Sequence, residues 1–152
     1  MTQEDKKLLL KDLYARLLYG IKFKADNEEC IREIHYIKDE NVYIREYQNL
    51  PYWIENIKPY LRPMSSMTEE EKEELKSKCI HTETEEDWEG VRCDVWGIQI
   101  LDKYDTRRWD NPIWPSTINM DAIDWLNARH FDYRGLIEKG LALEAPEEMY
   151  KF

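Results

Sequence analysis

Few residues of this chain stand in spacings that could do chemistry, and His130 with Asp132 comes nearest. Asn127 lies about one helical turn earlier, so the three could form an acid–base group. A catalytic histidine needs an orienting partner and a reacting group within hydrogen-bond reach. A small hydrolase-like enzyme using His130 and Asp132 is the activity such a group would serve. The competing reading is a helix C-terminal turn over residues 127–135, with His130 at the negative end of the helix dipole and Gly135 ending the turn. That reading is preferred, and no catalytic residue is assigned. Tyr133 and Arg134 read as packing plus a surface ion pair.

Two further groups resemble metal sites only loosely. Cys79, His81, Cys93 and Asp94 could supply four zinc ligands. Structural zinc sites, however, present paired Cys-x2-Cys or His-x3-His knuckles, and neither occurs here. Glu83, Glu85, Glu86, Asp87 and Glu89 crowd together without the alternate spacing and turn glycine of a calcium loop. They read as a solvated charge run on a surface loop. No metal and no cofactor are expected.

Arg107, Arg108 and Trp109, with Trp114 nearby and Trp88 upstream, form the patch with the most binding chemistry. Trp and Arg dominate interface hot spots. Indole faces stack on bases, and paired guanidinium groups fork onto phosphate. The alternative is that the Trp residues fill the core while Arg107 and Arg108 screen an acidic surface. Gly-rich phosphate loops, nucleophile motifs and nucleic-acid-binding signatures are absent from the sequence.

The elements that must position these residues follow from composition and periodicity. The chain has 152 residues, with 22 Lys plus Arg against 32 Asp plus Glu, for a net charge of −10. That length fits one domain with a core of its own. The charge repels nucleic-acid phosphates and anionic lipid, and it suits a basic partner. Three widely spaced cysteines fit a reducing compartment. With neither a leader-like apolar start nor a run of ~20 apolar residues, the expected location is cytoplasmic and off the membrane.

Thr2 to Leu18 reads as an amphipathic helix, opened by a Thr2–Asp5 capping box and closed at Gly20. Short β segments follow. They cover Ile21 to Ala25, Cys30 to Ile37, Val42 to Tyr47 and Trp53 to Ile57, the last ending at Pro59. Thr68 and Glu71 form a capping box for a polar helix reaching about Lys78. Val91 to Leu101 reads as a strand, and Met120 to His130 as a second amphipathic helix. The tail after Pro146 is expected to fray.

Several phrases also resemble a group of uncharacterised small proteins from gut Bacteroidales and their phages or prophages. These are residues 60–69, 123–127, 130–137 and 140–145, together with Lys11-Asp12-Leu13 and Tyr19-Gly20. The pattern departs at Leu18, at Arg129 and from Cys79 to Thr117. The resemblance implies a mobile-element origin and carries no activity or site residue.

The expectation is therefore a single α+β domain: a small antiparallel sheet or partly open barrel covered by helices. Its parts are a helix with a β-meander (1–63), a polar helix (64–79), an acidic and Trp-rich segment with one strand (80–118) and a C-terminal helical segment (119–152). The expected function is non-enzymatic binding of a host protein or a small nucleotide-like ligand, without direct nucleic-acid contact. Anti-defence inhibition is its concrete form. A structural or assembly accessory protein is the remaining alternative.

Overall fold

The computed structural model describes residues 1–47, 49–78, 83–86, 92–95 and 120–151. It combines helices with small antiparallel and mixed sheets, an α+β fold whose strands do not close into a barrel. Two compact units divide the chain. One joins Met1–Pro63 to Asn127–Phe152, and the other is Met64–Leu126.

The first unit opens with helix α1 (Gln3–Arg16). Thr2 caps it as its sequence requires: the Thr2 hydroxyl accepts from the Asp5 N–H while the Asp5 carboxylate accepts from the Thr2 N–H. Leu9 and Leu13, one turn apart, are fully buried. A 3-10 turn (Leu17–Tyr19) follows, and Gly20 closes it at φ 70°, a left-handed conformation open to glycine.

Strand β1 (Lys22–Ala25) then turns Phe23 and Ala25 inward and leaves Lys22 and Lys24 half-exposed, the alternation its sequence shows. It pairs antiparallel with β2 (Ile31–Glu33) on one side and with β6 (Ile57–Leu61) on the other. Strand β9 (Leu143–Glu144) adds to β6 in parallel. A second sheet is the antiparallel set β3 (Tyr36–Lys38), β4 (Asn41–Tyr43) and β5 (Tyr52–Trp53).

The stretch expected as one β segment, Cys30 to Ile37, is split between the two sheets. The chain changes ladders at Ile34–His35: the Ile34 N–H donates to the Ile21 carbonyl, and the His35 N–H to that of Tyr43. Of the small antiparallel sheet or partly open barrel that the sequence suggests, the first is found, as separate ladders. Asp39 and Glu40 turn the β3–β4 hairpin, both at positive φ (49° and 62°), as a tight two-residue hairpin loop demands.

Pro59 does not end a strand. It lies inside β6 opposite Phe23, while β9 pairs only Tyr60 and Leu61. Among the described residues the strand at Pro59 thus has a ladder partner on one side only, the setting in which a sheet tolerates proline. The tail is also tied down. The Tyr150 hydroxyl accepts from the Lys22 N–H and donates to the Tyr60 carbonyl, both at 3.0 Å.

One core serves both sheets of this unit. Leu9 and Leu13 of α1 meet Phe23, Ile57 and Leu61 from the first sheet, Val42 from the second, and Leu136 and Leu141 from the C-terminal segment. In the other unit, α2 (Glu69–Lys78) starts at the expected Thr68–Glu71 capping box and buries Leu75. Glu83–Glu86, expected as loop, is strand β7, paired antiparallel with β8 (Arg92–Val95). Helix α3 (Met120–Ala128) matches its periodicity and buries Ala122, Trp125 and Leu126.

Burial separates two leucines of the N-terminal segment. Leu13→Ala is expected to destabilise the fold by about 2–5 kcal/mol, whereas Leu18→Ala, at a side chain 92% exposed, should stay within about 0.5 kcal/mol. Urea unfolding midpoints of the two variants check this.

Candidate functional site

Of the residues singled out for binding, Trp88, Arg107, Arg108, Trp109 and Trp114 lie outside the described residues. So do Cys79, His81, Asp87 and Glu89. Cys93 and Asp94 belong to β8, opposite Glu85 and Thr84. Among the described residues no group of three His, Cys, Asp or Glu side chains is arranged to hold a metal ion.

His130 and Asp132 are described, and each has a structural task. The chain from His130 to Asp132 runs beside Arg62: the Arg62 N–H donates to the His130 carbonyl and the Asp132 N–H to the Arg62 carbonyl, at 2.8 and 2.7 Å. Arg62 and Phe131 form a parallel bridge there, with the guanidinium 4.1 Å from the Phe131 ring centre. His130 itself takes φ 60° just after α3, a left-handed residue that the sequence does not announce, and Gly135 is left-handed as well, at φ 70°. The Asp132 carboxylate accepts the N–H groups of Leu136 and Ile137, both at 2.8 Å, and so caps the following turn. Burial raises the Asp132 pKa against the pull of those two donors.

The His130 ring is buried under Tyr150. Their centres are 3.8 Å apart and nearly parallel, and Nε2 lies 3.1 Å from the Tyr19 carbonyl. Desolvation, reinforced by the positive charges of Arg16, Lys22 and Arg62, lowers its pKa to about 3. The expected favourable interaction of a charged His130 with the helix dipole is therefore absent, because the ring stays neutral at ordinary pH. Burial likewise pushes the Tyr150 phenol up to about 12.

Beside this turn sits a buried ionic group that the sequence reading missed. Asp12 and Arg16 are both fully buried on α1. Arg16 Nε and Nη2 donate to the two Asp12 oxygens at 2.8 and 2.9 Å, and Nη2 also donates to the Phe131 carbonyl at 2.7 Å. Arg134 Nε adds a third bond to Asp12 at 3.1 Å. The Arg134 ion pair is thus with a buried carboxylate rather than a surface one. Burial opposes the Arg16 charge, yet the Asp12 carboxylate outweighs it and the guanidinium pKa is raised. The Tyr133 ring centre is 5.3 Å from the Arg16 guanidinium and 4.7 Å from that of Arg134. Its hydroxyl accepts from Arg134 and donates to Asn127, both at 2.8 Å. A sequence signal existed: Asp12 and Arg16 fall at i and i+4 on the same helix face as Leu9 and Leu13.

The second sheet offers a different kind of site. Across it, Ile37, Val42 and Tyr52 stand in register and pack on the core. By alternation the rows Lys38–Asn41–Trp53 and Tyr36–Tyr43 take the outer face. Tyr36 and Tyr43 stack at 4.5 Å, 8° from parallel, and the His35 ring meets Tyr36 edge-on. Trp53 is 66% exposed, and Leu50, leading into β5, is 64% exposed. Tyr47 lies near the same strand, exposed, with Arg32 5.8 Å from its ring centre. Arg32 in turn pairs with Glu28, which also accepts the Tyr52 hydroxyl at 2.8 Å. The Tyr52 bond, followed by the Arg32 bond, holds the Glu28 pKa below the usual range.

Comparison of the chain with family models, with curated proteins and with solved structures finds no match.

Two outcomes test the buried chemistry. Asp12→Ala leaves Arg16 buried without its carboxylate and is expected to cost about 3–5 kcal/mol. The double variant Asp12→Leu/Arg16→Met should recover much of that in urea unfolding.

The second concerns pH. Unfolded His130 protonates near 6.5 while the folded ring resists down to about 3, so between these values the unfolded state holds the extra proton. Its contribution is intact above pH 6.5 and is lost as pH falls. Asp132, with a raised folded pKa, works in the opposite sense. His130→Asn, a residue that accepts the left-handed turn, should remove an acid-side slope of up to about 1.4 kcal/mol per pH unit. Unfolding midpoints from pH 7 to 4.5, compared with the parent protein, measure it.

Proposed function

We propose that this chain is a non-enzymatic binding protein and that the outer face of the β3–β4–β5 sheet is a contact surface. One observation carries the reading. A sheet face turned to solvent ordinarily alternates to polar side chains, yet this one carries Tyr36, Tyr43 and a largely exposed Trp53. Indole and phenol groups give large, rigid contact area with little rotamer entropy to lose. The arrangement of His130 and Asp132 favours the same reading over a hydrolase-like enzyme. The imidazole is covered by Tyr150, and both Asp132 oxygens hold backbone N–H groups.

The resemblance of residues 60–69, 123–127, 130–137 and 140–145 to small phage and prophage proteins supports a mobile-element origin. With the charge of −10, it supports inhibition of a host defence protein as the concrete role. Capture of a nucleotide-like ligand by Arg107, Arg108, Trp88, Trp109 and Trp114 is the narrower alternative. An assembly role would show itself as self-association.

The test is capture of partners from host lysate on the tagged protein, read by native mass spectrometry beside a Trp53→Ala variant. Because Trp53 is exposed, the variant should keep its unfolding midpoint and lose a stoichiometric partner. A partner retained in full by Trp53→Ala would remove the sheet face from the account.

A further inference from the structure

The end of the β3–β4–β5 sheet next to Trp53 carries a carboxylate pair that already holds one cation. Glu40 at the β3–β4 tip and Glu55 in the 3-10 turn after β5 (Ile54–Asn56) both reach Lys6 Nζ, at 2.6 and 3.4 Å. Both Glu side chains remain 57% exposed, whereas Lys6 is only 17% exposed. A carboxylate has about four lone-pair sites, so these bonds leave acceptor capacity facing solvent. Asp39, also exposed, stands next to Glu40. The row Lys38–Asn41–Trp53 adjoins this tip directly. From Tyr36 to Glu55 the sequence carries Asp39, Glu40, Glu46 and Glu55 against Lys38 and Arg45, so the acids prevail locally as they do over the whole chain.

We propose that this face takes a lysine- or arginine-bearing segment of a partner protein. The segment's cations would stack on Trp53 and pair with Glu40, Glu55 and Asp39. The proposal rests on the binding reading above and names the chemistry of the occupant. Tryptophan is the best aromatic partner for a cation, and an adjoining carboxylate adds a charge-assisted hydrogen bond. An apolar or acidic segment would strip water from three carboxylates and return nothing to them. The field of a −10 chain draws a cationic segment and repels phosphate polymers. Lys6 is the intramolecular precedent, an ammonium group held between the same two glutamates.

The experiment is calorimetric titration of the full chain with a hexa-arginine peptide, with hexa-glutamine as neutral reference. Four proteins are compared: the parent, Trp53→Ala, Glu40→Gln/Glu55→Gln and Glu147→Gln/Glu148→Gln. The last removes the same two charges from the exposed tail, so it controls for net charge. Trp53→Ala and Glu40→Gln/Glu55→Gln are each expected to weaken binding by about fivefold or more, in the range of a surface cation–π or ion-pair contact. The tail variant should stay within about twofold, and rising salt should weaken the parent complex. Equal losses from the two double variants would mean diffuse attraction and overturn the proposal. So would hexa-glutamine binding as tightly as hexa-arginine. If partner capture needs Trp53 while hexa-arginine binding ignores it, the cationic occupant is wrong and the contact surface stands. If neither needs Trp53, both are wrong.

Discussion

The ionic bond between Asp12 and Arg16 is the constraint on which the first unit depends. Removing two full charges from water costs several kcal/mol per ion, and good geometry only roughly repays it. The pair's contribution is therefore placement more than net stability. Arg16 can be buried only if all of its partners are present, and one of them, the Phe131 carbonyl, lies 115 residues away. Asp12 likewise needs Arg134 beside it. The N-terminal helix thus accepts one position of the C-terminal segment and no neighbouring one, because a shift of a single residue would leave a buried charge uncovered.

That placement determines the fate of the reactive side chains. With Phe131 fixed on Arg16 and bridged to Arg62, His130 must make the left-handed turn and enter the space beneath Tyr150. Asp132 emerges where the N–H groups of Leu136 and Ile137 await an acceptor. The groups that look most like an acid–base pair in the sequence are the ones that hold the segment's shape. The most exposed described aromatic ring, Trp53, lies on the other sheet.

Local signals in the sequence were reliable wherever a residue's neighbours along the chain decide its conformation. Both capping boxes, the turn at Gly20, the alternation of β1 and the start of α3 are of this kind. What could not be seen depends on residues far apart in sequence. Nothing local distinguishes one β segment from two that change ladders at Ile34–His35. Pro59 reads as a strand end until its neighbours are known, since only the reach of β9 makes it tolerable within β6. Glu83–Glu86 reads as loop because its acidity, taken alone, hides the pairing with Arg92–Val95. The tail reads as loose because only the partners of Tyr150 anchor it. For the site, His130 and Asp132 were found but their burial was not. Asp12 and Arg16 share the apolar stripe of α1, but their role depends on Phe131 and Arg134, more than a hundred residues away.

Because the first unit is made of two stretches, Met1–Pro63 and Asn127–Phe152, its assembly is set by the order of synthesis. Phe23, Ile57 and Leu61 are made early, but Leu136 and Leu141, which share their core, follow only after the whole intervening unit. At about 5–20 residues per second on the ribosome, the early stretch waits several seconds with apolar surface and an open β6 edge uncovered. The parallel β6–β9 pairing then closes a loop longer than the entire second unit, a slow, high-contact-order step. During that interval the uncovered apolar surface and strand edge are the part of the nascent chain most exposed to aggregation.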